Sequence, residues 1–148
     1  MKHVSVFALV LVLLAGCAMV SKQLPVKEPE VSFVDATPHS FTFTSLKVDI
    51  KLRVTNPNPI GLTIDRLDLV LYINDQKTVT APFHNVTLKA NGSSPLNTTV
   101  VVPYTAVGMS MIGALKSTSG IRYKLVGVSY VKTPLGVVEF PVTIYKNS

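Results

Sequence analysis

From Leu46 to Thr55 apolar and polar residues alternate without a break, with Leu46, Val48, Ile50, Leu52 and Val54 set against Lys47, Asp49, Lys51, Arg53 and Thr55. A period of two sends successive side chains to opposite faces of a pleated sheet, so this stretch reads as a strand buried on one face. Asn56, Pro57, Asn58 and Pro59 then end it. Burying an apolar side chain is worth roughly 1.5–3 kcal/mol, whereas fixing the backbone costs about 1–2 kcal/mol per residue. The strand therefore needs partners on both edges and an apolar layer over one face.

Other runs in the chain can supply them. Val31, Phe33 and Ala36 start a short strand that Thr37 and Pro38 are expected to end. Residues Leu62 to Ile73 place Leu67, Leu69, Leu71 and Ile73 on one face and Arg66, Asp68, Val70 and Tyr72 on the other, before the turn formers Asn74 and Asp75. Thr78 to Leu88 is a weaker strand in which Pro82 marks an edge or a bulge. A turn at Asn91 and Gly92 leads into Leu96, Thr98, Val100 and Val102, which alternate until Pro103. Between Thr105 and Thr118 the spacing becomes helical through Val107, Met111, Ala114 and Leu115, with Thr105 as N-cap and Ser119 and Gly120 as the stop. Gly108 and Gly113 weaken this helix, so packing on the sheet has to hold it. Ile121 to Lys132 and Val137 to Tyr145, joined by a turn at residues 133–136, complete the pattern. It predicts an all-β fold, an antiparallel immunoglobulin or fibronectin-III-like sandwich of about seven strands with one short helix.

A length of 148 residues with 47% hydrophobic content is enough for one domain with its own core. The formal charge of +6 is spread along the chain with no Arg-rich run and no aromatic interleaving, which argues against nucleic acid as a partner. Lys47, Lys51 and Arg53 share the polar face of the first strong strand; they read as a solvated face, with contact to anionic headgroups as the alternative. No enzyme constellation emerges. His39 and His84 have no ligand-spaced partner, and the run Gly108 to Ile112 lacks the second glycine of a nucleophile elbow. Asp65 and Asp68, three apart, are expected on opposite strand faces. Neither a cofactor nor a metal is implied.

The N-terminus has a different character. Lys2 and His3 precede an apolar run from Val4 to Leu14, followed by Ala15, Gly16 and Cys17, which has the form of an export signal. Reading on to Val20 allows an uncleaved anchor as the alternative. Leu14, Ala15, Gly16, Cys17 resembles the bacterial lipoprotein box, which implies cleavage between Gly16 and Cys17 and lipidation of that cysteine. Cys17 is the only cysteine, so it has no disulfide to make. The expected organisation is a signal peptide over residues 1–16, a lipidated cysteine with a flexible tether over 17–30, and a domain over 31–146. Residues 18–30 could hold the domain roughly 40 Å from the bilayer. By the same resemblance, the non-acidic Ala18 directs the protein to the outer membrane, facing the periplasm, in a host with two membranes.

The alternating strand ending in Asn56, Pro57, Asn58, the helix after Pro103, and Tyr123, Leu125 and Gly127 in the following strand together resemble the late embryogenesis abundant type 2 family, also called the WHy (water stress and hypersensitive response) domain. The similarity runs from about Glu30 to Tyr145 and departs at the end, where Tyr145, Lys146, Asn147 and Ser148 stand in place of a family glycine. It implies a folded seven-stranded sandwich with one helix, associated with dehydration and other stress. The function expected is a membrane-anchored, non-enzymatic lipoprotein that protects through weak surface interactions. The alternative is an envelope binding module for a protein or for a lipid in an apolar groove, for which Met109, Met111 and Ile112 are the candidate lining; a passive envelope spacer is a third reading.

Overall fold

The computed structural model describes residues 26–117 and 120–147; the expected signal peptide and Cys17 lie outside the described residues. Seven antiparallel strands form two sheets. The first sheet has the order β1 (Glu30–His39), β2 (Ser45–Thr55), β5 (Ser93–Pro103). The second has the order β4 (Gln76–Leu88), β3 (Leu62–Ile73), β6 (Arg122–Thr133), β7 (Gly136–Asn147). β2 is central in its sheet, and its five alternating apolar residues are all at most 1% exposed. They face Leu67, Leu69, Leu71 and Ile73 of β3 and Tyr123, Leu125 and Val131 of β6 in one core.

The prolines obey the ladder. Pro38, Pro82, Pro95 and Pro141 all lie in edge strands, where a missing amide donor leaves no bond unmade. This is why β1 runs on through Pro38 to His39 rather than stopping at Thr37. β3 contains a bulge at Asp65, where the pairing with β6 slips by one residue. Ile64 and Leu67 both point into the core, leaving Asp65, Arg66 and Asp68 together on the outer face. The expectation that the two aspartates face opposite ways is thereby corrected, because an extra residue breaks the period of two.

The single helix expected over residues 105–118 is two: α1 (Tyr104–Val107) and α2 (Met109–Ser117). Gly108 separates them with φ 76, a conformation that ends a helix, and its amide closes α1 on Tyr104 O at 2.8 Å. The N-cap is Pro103, with no side-chain capping bond, rather than Thr105. Val107 and Leu115 bury against the core, as the helical spacing required.

Between the sheets, the Phe33 and Tyr123 rings stack with centroids 6.2 Å apart. Burial, and then the charge of Asp35, pushes the Tyr123 phenol up to about 12. A folded-state value above the ordinary 10.0 means that this stabilisation is complete below pH 10 and is lost as pH rises towards 12. The urea midpoint is therefore expected to fall across that window, and Tyr123→Phe to flatten the tyrosine part of the fall. Ultraviolet titration should show one of the five tyrosines ionising last, and that late step should vanish in the variant.

Candidate functional site

The turn that ends β2 is a clamp. Asn56 is fully buried and Asn58 is 3% exposed, which a polar amide tolerates only when its bonds are made. Asn56 Nδ2 donates to Ile60 O (2.7 Å) and Lys89 O (3.0 Å), and its Oδ1 accepts from Asn58 N (3.0 Å) and Asn58 Nδ2 (2.8 Å). Asn58 reaches back 31 positions: its Oδ1 accepts from Lys27 N (2.7 Å) and its Nδ2 donates to Lys27 O (2.9 Å), as a neighbouring strand would. Main-chain bonds from Asn56 N to Gly92 O (2.8 Å) and from Asn91 N to Asn58 O (2.9 Å) bind the β4–β5 turn to the same point. Pro57 is half-buried and Pro59 is exposed. Both amides thus spend their donors and acceptors inside the protein.

The clamp also relocates the start of the domain. Lys27 lies within the segment expected as a flexible tether, yet its main chain is held on both sides, Val26 packs on the core and Pro29 is buried. Contacts with the sandwich thus begin at Val26, within the segment expected as tether.

Lys47, Lys51 and Arg53 lie exposed on the outer face of β2. Asp49 stands between them with Thr99 Oγ1 donating to it at 2.6 Å and His39 Nε2 lying 3.0 Å away. The Thr99 bond, then His39, holds its carboxyl below the usual carboxylate value of 3.8, so it stays ionised and interrupts the stripe. On the outer face of the other sheet, Asp65 pairs with Lys132 and Asp68 with Arg66 (2.9 Å), whose guanidinium lies 4.3 Å from the Tyr130 ring centroid. The bond from Lys132 holds Asp65 below 3.8. These carboxylates are neutralised by cations, an arrangement that offers no poised acid or base.

Among the described residues, no group of three or more His, Cys, Asp or Glu side chains is placed to hold a metal ion. Of the residues expected to line an apolar groove, Met109 is 79% exposed, Ile112 is half-buried, and Met111 packs on the core and accepts from Asn74 Nδ2 at 3.3 Å. A cleft of about 480 Å³ lies between the start of β1 and β7, lined by Glu28, Val31, Pro141 and Ile144 among others. In sequence Gly127 stands only as part of the Tyr123, Leu125, Gly127 pattern; in the structure the β3 backbone at Asp68 and Leu69 leaves no room for a Cβ there.

Fold and site define a β-sandwich protein whose Asn56 and Asn58 amides are bonded within its own architecture. The family profile "Late embryogenesis abundant protein" (LEA_2) matches residues 51–144, and the chain belongs to that family, which has no known catalytic activity. A solution structure of AT1g01470 from Arabidopsis thaliana superposes with a TM-score of 0.68 at 21% identity over 86% of each chain. A late embryogenesis abundant (LEA) protein, At2g46140.1, gives 0.57 at 22% identity, over 96% of this chain and 82% of that one. An uncharacterized protein of Methanocaldococcus jannaschii, MJ1138, is 26% identical over 97% of this chain and 83% of its own length. The two structures show the shared sandwich.

Proposed function

We propose that this is a lipid-anchored, non-enzymatic protein of the cell envelope that protects other macromolecules under dehydration or related stress by weak surface contact. The observation that carries the reading is the pairing of a folded LEA_2 sandwich, its Asn56 and Asn58 amides committed internally, with a lipoprotein-type leader ending at Gly16 and Cys17. Two or three acyl chains, at about 0.8 kcal/mol per buried CH₂, anchor a protein stably where one does not. Residues 18–25 then allow a reach of at most about 30 Å from the bilayer to Val26, which keeps the sandwich near the surface it serves. In a host with two membranes the place is the outer membrane, facing the periplasm.

Two measurements test the two halves. Mass spectrometry of the N-terminal peptide is expected to find acylated Cys17 as the first residue; an intact Met1 or an unmodified cysteine would remove the anchor. Drying or freezing a labile enzyme with the full protein is expected to preserve more activity than an equal mass of albumin, and equal losses would remove the protective role.

A second reading, a module that binds headgroups, is favoured by the exposure of Lys47, Lys51 and Arg53 on one face. Vesicle binding through it should weaken as salt screens exposed charges, and replacing all three by glutamine should abolish the salt-sensitive part.

A further inference from the structure

The chain enters the sandwich at the end where β2 stops, and that end carries apolar side chains the core does not use. β1 and β7 run side by side in the same direction: Lys146 Nζ donates to Val34 O at 2.9 Å, and Pro141 to Ile144 line one cleft with Glu28 to Val31. Carrying that alignment back along both segments sets Val138 beside Val26. The β6–β7 turn therefore lies at the same end of the sandwich as Val26. Val26 is joined to Cys17 in sequence by residues 18–25.

The turn is firmly built. Thr133 Oγ1 donates to Gly136 O (2.8 Å) and accepts from Leu135 N (3.2 Å), and Gly136 takes φ 122, which a side chain would resist. At its tip Leu135 is 70% exposed and Val137 54%, with Ile60 (43%) and Val138 (40%) at the same end of the sandwich. Turn tips ordinarily carry polar residues. Charge at this end nearly cancels: Lys27, Lys89 and Lys132 stand with Glu28, Asp65 and Glu139, and Lys132 is bound to Asp65.

We propose that the β6–β7 turn is a foot, with Leu135 and Val137 resting in the interfacial layer of the bilayer that holds Cys17. This rests on the anchored reading above. Two apolar side chains are too few to hold a free domain on a membrane, but an eight-residue tether makes the contact intramolecular and raises its effective concentration. Because the end is close to neutral, the contact is apolar and insensitive to salt. It stands the sandwich on end, a pose that excludes simultaneous contact through the flank carrying Lys47, Lys51 and Arg53.

The absence of tryptophan from the chain allows a direct test. Leu135→Trp and Val137→Trp place a lone fluorophore at the foot, and Phe43→Trp places one at the opposite end, on a fully exposed residue. Each full-length protein is reconstituted into phosphatidylcholine vesicles containing acyl-brominated lipid, and flotation reports anchorage separately from emission. The two foot variants are expected to be quenched about twofold more than Phe43→Trp, as interfacial burial requires, with no change at high salt. A protein that floats but is quenched equally at both ends, or more at Phe43→Trp, overturns the foot and leaves the anchor. A protein that does not float overturns the anchored reading and the foot with it.

Discussion

Gly127→Ala is expected to leave the protein without a stable fold. Gly127 lies in β6 between β3 and β7, paired with Leu69 on one side and Val142 on the other. A Cβ at this position would sit 1.7 Å from Asp68 O, 2.8 Å from Asp68 C and 3.1 Å from Leu69 Cα. All three are backbone atoms of an interior strand, so they cannot swing aside as a flexible side chain would. Relief requires β3 and β6 to part, breaking the ladder that centres the four-stranded sheet. The cost should exceed about 4 kcal/mol, in the range reserved for such backbone clashes, against a total stability of about 5–15 kcal/mol for a domain. Circular dichroism of the purified variant should show loss of the cooperative urea transition. Gly113→Ala is the matched control: it lies in α2 with nothing within 4 Å of the added carbon, and it should be neutral or gain about 0.5–1 kcal/mol from helix propensity. A folded, cooperative Gly127→Ala protein would contradict the close approach of the two strands.

Asn56→Ala is expected to cost about 3–5 kcal/mol, because it removes four hydrogen bonds at a fully buried site and a buried group left without its partner costs about 1–3 kcal/mol. Ile60 O, Lys89 O, Asn58 N and Asn58 Nδ2 all lose a partner. Asn56→Asp should not rescue it, since the carboxylate keeps the acceptors, loses both donors and places a charge at a fully buried site. Asn58→Ala separates local from global effects. It removes both bonds to Lys27, so hydrogen exchange at the Lys27 amide should accelerate by more than exchange in β2 and β3. Urea midpoints for the three variants, with exchange measured on the folded proteins, check the ranking. If Asn56→Ala were as stable as the parent, the turn would be available for some role other than closing the sandwich.

The strands were legible because their burial follows a local period. β3 spans Leu62–Ile73 as the alternation required, and Asn74 and Asp75 form its turn with φ 47 and 67. The Asn-Pro segment was legible as a strand stop, but not as a clamp, since no local signal couples Asn58 to Lys27. The bulge at Asp65 was hidden for a related reason: two outward polar residues in succession between Ile64 and Leu67 are its only trace, and the alternation on either side conceals the slip. In the helical region Gly108 was visible as a weak point, and only its left-handed conformation turned weakness into a break.

The chain alone determines which residues are apolar and at what spacing, and hence the seven strands, the sandwich class and the segment where helix replaces sheet. Period and turn chemistry are properties of neighbours in sequence, so they survive without a tertiary structure. Tertiary structure alone decided that Gly127 must lack a side chain, that Asn56 and Asn58 close the domain on its incoming chain, and that Leu135 and Val137 stand clear of the core. Each of these depends on which distant backbone atoms meet, and that is set by strand order and register rather than by any local pattern.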